Sequence, residues 1–294
     1  MHLHKYGLAT PETIYLLRCF PQEQAISYLL DQALSPDENI GSNVKLKALR
    51  CLLAIADEET IQKYSVKSMA EFRALLQTLT YVNRLEQLGH SISQKSFSNM
   101  DKNALVEGIW RAHRHNPEAL LLLVDICHDY KITTASLWEA VLTQIRSFVE
   151  IARLDIVNLE KVLMQIRNIP HLWVLSQMTC AWTYLIYYPF KKASNPVSET
   201  SLWQCVHAVN LLLQSCPVDV GVQDLFFLTL SLNLPILALA ISAKVENKEK
   251  EIQAILNQHS KDELKEGYEK VKSLLALPQN IEFCHEFYYI KELK

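Results

Sequence analysis

Three side chains are spaced as a metal site would need them. Asp125, His128 and Asp129 fall at i, i+3 and i+4 of a helical stretch, so all three can face one way and offer two carboxylates and an imidazole to a cation. The same spacing is common on the solvated flank of a helix near its C-terminus, and that is the reading taken here. His113-Arg114-His115 could contact a phosphate, but cations at this point of a helix also simply complement its negative end. Cys284-His285-Glu286 puts a nucleophile beside a base in sequence, yet adjacent residues on a helix or strand point apart. The chain has no H-E-x-x-H, no G-x-S-x-G, no Walker loop, no dinucleotide fingerprint and no D-D-x-x-D carboxylate cluster. No catalytic, cofactor-binding or metal-ligating residue is assigned, no cofactor is expected, and the pattern does not support an enzyme. Which residues bind partners cannot be read from the spacing.

Composition agrees with a folded, non-catalytic chain. Its 294 residues are 49% hydrophobic and 21% charged, enough to bury a substantial core. Six scattered glycines are few for this length, which argues against strand hairpins and phosphate loops, since both lean on positive φ. A formal charge of −3 gives no basic footprint for nucleic acid, and Lys191-Lys192 is too small a patch to supply one. Seven cysteines without a C-x-x-C pair suggest a reducing compartment, and MHLHKYGLATPET lacks the apolar core of a signal peptide. A cytoplasmic or nuclear address is the expectation.

The elements are helices throughout, organised around Ala104 to Val141. Leu105, Ile109 and Ala112 share one helix face with Trp110 at its edge. Asn116-Pro117-Glu118 restarts the chain as an N-cap, a proline at the first helical position and an acid at the positive helix end. The helix that follows is apolar nearly all round at Leu120 to Val124, so neighbours must cover it on several sides. Ser136-Leu137-Trp138-Glu139 has the form of a capping box, leading a face of Leu137, Val141, Ile145 and Phe148.

Elsewhere Thr10-Pro11-Glu12 opens one helix and Pro21 another, carrying Ile26, Leu29, Leu30 and Leu34. Val44 to Ala56 follows, then a short helix from Asp57, and a capping box at Ser68 to Glu71 leads a long helix that stops at Gly89. Helical pattern continues from Ile151 to Ile169, and Pro170 ends it. Pro189 to Ser198 reads as a long connection. Helices resume at Leu202 to Leu213, Val220 to Leu232, Pro235 to Ala243, Lys248 to Leu256 and Asp262 to Leu275, the last behind a capping box at Ser260 to Glu263. The reading is all-α: an irregular α-solenoid of stacked antiparallel helix pairs over residues 1–276, then an aromatic-rich tail, 277–294.

Two uncharged nineteen-residue runs, Leu172 to Phe190 and Leu225 to Ala243, are long enough to cross a bilayer. Asn233-Leu234-Pro235 reads as a turn inside the second, and the first carries Gln177, Thr179 and Thr183, so membrane insertion is disfavoured. The five tryptophans are expected mostly in the core. Ser136-Leu137-Trp138 recurs in form as Ser201-Leu202-Trp203, a weak internal repeat with no fixed period.

The run LKALRCLLAIADEETI (Leu46 to Ile61), then ALVEGIWRAHRHNPEALLLLVDICHDYKI, SLWEAVL and LPILALAI resemble the C-terminal region of the Rod (Rough deal) family, from about Val44 to about Leu275. These are helix cores rather than a functional signature, so the specificity lies in their order and extent. The resemblance implies an α-solenoid akin to Sec39-type tethering subunits. It also implies a non-enzymatic scaffold at unattached mitotic kinetochores, where the family serves the spindle assembly checkpoint, helping bring in Mad proteins and, through Spindly, dynein–dynactin. The implied partner is a Zeste-white-type subunit. Zwilch binding, which the family assigns to an N-terminal β-propeller, is not expected of this chain. The tail after Leu275 does not match the family pattern. A tethering subunit of Golgi-to-endoplasmic-reticulum traffic is the alternative reading, and an integral membrane helical protein the third.

Overall fold

The computed structural model describes residues 9–37, 40–242, 244–245 and 248–275. Among the described residues there are sixteen α-helices, one 3-10 turn and no strand. The chain divides into two compact units, Met1–Tyr130 and Lys131–Lys294.

The first unit begins with α1 (Pro11–Arg18), capped by the Thr10 side chain with Pro11 in its first turn. No residue of α1 is buried, and it lies against α3 (Ser42–Ile55). Between them, α2 (Gln22–Leu34) buries Ala25, Ile26, Leu29, Leu30 and Ala33, mainly on α3. The other side of α3 packs on α5 (Met69–Gln87), and Leu46, Leu49, Leu52, Phe72 and Leu79 join Ile61 of the short α4 (Glu58–Tyr64) in one core. Both halves of the Ser68/Glu71 capping box form, and Gly89 at φ +88° closes the far end of α5. A helix the periodicity does not reveal, α6 (Gln94–Asn99), has one buried apolar residue, Phe97. Six residues are too few for a repeat to register.

In α7 (Lys102–His113) the buried residues are Val106 and Ile109, not the expected Leu105, Ile109 and Ala112. Ala112 is exposed, and the inward stripe runs toward His113 instead. The helix α8 (Pro117–Asp129) behaves as its composition demands. Asn116 caps it and seven residues from Ala119 to Cys127 are buried, against α7 and α5.

The second unit opens with α9 (Ala135–Glu150), capped at Thr134. Ser136 is therefore the second residue of the helix and makes no capping box, against expectation. The helical pattern expected from Ile151 is also interrupted. Ala152 adopts φ +55°, the Arg153 N–H turns back to the Phe148 carbonyl at 2.8 Å, and α10 starts afresh at Ile156 under an Asp155 cap, ending at Ile166. After the 3-10 turn at Pro170–Leu172 comes α11 (Ser176–Lys192), which packs on α9, α10 and α12 (Glu199–Gln214). Pro189 lies inside the last turns of α11, so the connection is confined to residues 193–198. Pro189 has no N–H to donate to the preceding turn, but its own carbonyl accepts from the Ala193 N–H at 2.9 Å.

The apolar run from Leu225 breaks as expected. Asn233 at φ +57° separates α13 (Val222–Ser231) from α14 (Pro235–Ser242). Every residue of α14 from Ile236 to Ser242 is buried, enclosed by α12, α13, α15 (Lys248–Gln258) and α16 (Lys261–Val271). The Ser260/Glu263 capping box starts α16. Each unit is thus a sequential stack of packed helices, the all-α, solenoid-like architecture expected. No helix among the described residues is long and apolar enough to cross a membrane.

Candidate functional site

The acidic pair of α8 meets a polar face of α5. Gln77, Tyr81 and Arg84 recur there at steps of four and three, so they line up opposite Asp125 and Asp129. Arg84 Nη1 donates to Asp125 Oδ2 at 2.6 Å, with both side chains mostly shielded. The Tyr81 hydroxyl donates to the Asp129 carboxylate and reaches the Asp125 carbonyl at 3.2 Å, and Gln77 also donates to Asp129. His128 Nδ1 lies 3.1 Å from Asp129 Oδ1. Burial works against the Asp129 charge, but hydrogen bonds from Tyr81, Gln77 and His128 outweigh it and hold the carboxyl below its ordinary range. Burial, reinforced by Asp129, pushes the Tyr81 phenol up, so it stays a donor.

Gln77, Tyr81, Arg84, Asp125 and Asp129 line an open groove together with Arg73 and Thr80. Its chemistry is that of a polar zipper between two helices. The three residues with metal-site spacing are thus separated by function: Asp125 serves Arg84, Asp129 serves Tyr81 and Gln77, and His128 leans on its neighbour. Among the described residues no group of three or more His, Cys, Asp or Glu could hold a metal ion. The hydrophobic reading of α5 passes over this face, although the Gln77, Tyr81, Arg84 spacing is visible in sequence.

His113 pairs with His90, Nε2 to Nε2 at 2.8 Å with the rings edge-on, while Arg114 Nε approaches His115 Nε2 at 3.1 Å on the surface. Lys191 and Lys192 lie over the rings of Tyr187 and Tyr188 at 5.6 and 4.5 Å. Burial pushes the Cys127 and Cys205 thiols up to about 12, which leaves them poor nucleophiles. Cys284-His285-Glu286 and the aromatic-rich tail lie outside the described residues.

The tryptophans divide unevenly, which corrects the expectation of a mostly buried set. Trp138 and Trp182 are buried, Trp110 is half-buried, and Trp173 and Trp203 are 37% and 52% exposed. The two S-L-W segments explain the contrast. In α9 the stripe Trp138, Val141, Leu142, Ile145 and Phe148 faces inward. In the matching positions of α12, His207 stands for Leu142 and Asn210 for Ile145, so the buried stripe turns to Cys205, Val209 and Leu212 and carries Trp203 outward.

Two contacts fix how α10 and α12 run. Glu160 and His207 pair at 3.0 Å, and Arg167 donates to Ser215 at 3.1 Å just beyond the ends of both helices. Contacts advancing in the same sense on each chain segment mean the helices are parallel. One turn before the Glu160–His207 pair, Val157 and Trp203 are exposed on α10 and α12, at 63% and 52%. In the first unit Tyr15, Leu16, Phe20 and Tyr28, on or beside α1 and α2, are also exposed. Both sets offer exposed aromatic side chains of the kind that anchor helix-against-helix docking.

Comparison with known proteins places this architecture. The family model described as the Rough deal protein C-terminal region matches residues 9–281. That span includes α1 and α2, beyond the Val44 to Leu275 over which the resemblance is visible by inspection. Kinetochore-associated protein 1 of Mus musculus is 31% identical over 251 residues, covering 83% of this chain and 11% of that protein. The protein of the same name in Homo sapiens matches with the same identity and coverage. The chain therefore spans only a small part of the length of these relatives. On the extent of that match and that identity, the chain belongs to the Rough deal protein C-terminal family.

Proposed function

We propose that this chain is a non-enzymatic protein-interaction scaffold that acts at the kinetochore, in the spindle assembly checkpoint and in the recruitment of dynein. The observation that carries this reading is the family match over residues 9–281, supported by two relatives named as kinetochore-associated proteins. The geometry agrees with it. Asp125 and Asp129, two of the three residues with metal-site spacing, are engaged in contacts with α5, and exposed aromatic side chains sit on helices of both units. The partner proposed is a Zeste-white-type subunit, bound through such side chains, with no nucleic acid and no small-molecule substrate. The address is cytoplasmic or nuclear in interphase, with kinetochore residence in mitosis.

The test is localisation of the tagged chain in nocodazole-arrested cells. Foci at unattached kinetochores are expected. A reticular pattern would replace this reading with a tether of endoplasmic-reticulum membranes. A pull-down with the Zeste-white-type subunit, with and without residues up to Leu34, then locates the contact.

A further inference from the structure

We propose that Ser194 is a phosphoacceptor for protein kinases that recognise basic residues on the N-terminal side of their target. Lys191-Lys192 is the only adjacent pair of Lys or Arg in the sequence, and it places cations three and two residues before Ser194. As a nucleic-acid contact this pair is too small, and packing explains only part of it. The lysine ammonium groups lie over the rings of Tyr187 and Tyr188, while both side chains remain exposed.

The backbone presents the serine where an enzyme can reach it. α11 ends at Lys192, Ala193 closes it with its bond to the Pro189 carbonyl, and residues 193–198 connect to α12. Ser194 is exposed. The next serines along are committed to local structure, since Ser198 caps α12 by accepting from the Ser201 N–H and its hydroxyl also bonds that of Ser201. The Ser194 hydroxyl makes no such bond among the described residues. Threading a kinase cleft requires only that the last turn of α11 fray, and helix ends do this readily.

In the transfer, Ser194 Oγ forms a bond to the γ-phosphorus of ATP. The bond from that phosphorus to the β,γ-bridging oxygen breaks, ADP leaves with the electron pair, and the hydroxyl proton passes to the kinase base. The product carries a charge of about −2 beside two lysines, so the local sum falls from +2 to about zero. The same loop is a wall of a cavity of about 370 Å³, where Asn195, Pro196 and Val197 face Leu234 to Leu237 and the α16 residues Glu263, Glu266, Gly267 and Lys270. Phosphorylation therefore places a dianion one residue from Asn195, beside a lining that holds Glu263, Glu266 and Lys270.

The test incubates the purified chain with magnesium-ATP and the catalytic subunit of cyclic-AMP-dependent protein kinase, a basic-directed probe. Phosphopeptide mass spectrometry should place phosphate on Ser194, and Ser194→Ala should remove it. The double variant Lys191→Ala/Lys192→Ala should slow incorporation at Ser194 by about tenfold or more while its helical circular dichroism stays native. Phosphate confined to other residues, an unmodified Ser194, or an unchanged rate in the double-lysine variant overturns the assignment.

Discussion

The Trp138 indole N–H donates to the Ile132 carbonyl at 2.9 Å, tying the start of α9 to the segment that leads into it. The ring is buried, so this one side chain supplies both core volume and the partner of a buried carbonyl. Trp138→Ala should destabilise the fold by about 3–5 kcal/mol, and Trp138→Phe, which keeps most of the volume, by about 1–2 kcal/mol. Urea midpoints check both. A loss well under 1 kcal/mol for the alanine variant would mean the ring is not packed as described.

Trp203 gives the opposite expectation at the repeated motif. With the ring half in solvent, Trp203→Ala should cost less than about 1 kcal/mol, although the residue type and local sequence match those at Trp138. Loss of partner capture without loss of stability would mark Trp203 as an anchor. A cost equal to that of Trp138→Ala would contradict its exposure.

The Arg84–Asp125 pair lends itself to a double-mutant cycle. Both side chains are mostly but not fully shielded, so their coupling should fall between an exposed and a buried pair, about 1–2 kcal/mol. Salt should weaken it only slightly. Zero coupling would show that the zipper between α5 and α8 holds by its tyrosine and glutamine alone.

Acid should loosen the same interface through Asp129. Its folded pKa lies below the unfolded value of about 3.9, so between the two the unfolded chain binds the extra proton. The stabilisation is then complete above the unfolded value and disappears as pH falls through the folded one. The Glu71 and Glu263 carboxyls, held low by the backbone N–H groups of Ser68 and Ser260, act in the same direction. Unfolding midpoints of the wild-type chain should fall steeply below about pH 4, and Asp129→Asn should flatten part of that slope. An identical slope in the variant would remove Asp129 from the account.

Alkylation should sort the cysteines by burial. Native chain treated with iodoacetamide should label Cys19 and Cys180, which are exposed, and spare Cys51, Cys127 and Cys205. Peptide mapping reads this directly, and rapid labelling of Cys127 would indicate that α8 opens.

Much of the fold is legible in the sequence because caps and turns are local. Thr10, Asp57, Ser68, Asn116 and Ser260 act on N–H groups within three residues, and each forms the cap its side chain suggests. The errors arise where the decision is not local. Ser136-x-x-Glu139 has the letters of a capping box but lies inside a helix begun by Thr134. Pro189 is absorbed by a helix whose own side chains, Tyr187 and Phe190, are buried around it. The docking-suited faces were the least legible part. An exposed tryptophan and a core tryptophan share the preceding Ser-Leu and a Val three residues on, and the polar substitutions at His207 and Asn210 mark the rotation of α12.

α14 imposes an order on synthesis. Its seven residues from Ile236 to Ser242 are buried, and two of the four helices that enclose them, α15 and α16, follow it in the chain. A nascent chain leaving the ribosome therefore displays this greasy rod half-wrapped until Val271 has emerged. During that interval it is a natural client for chaperones, and a stop codon placed between α14 and α16 would yield an aggregating product instead of a shorter working one.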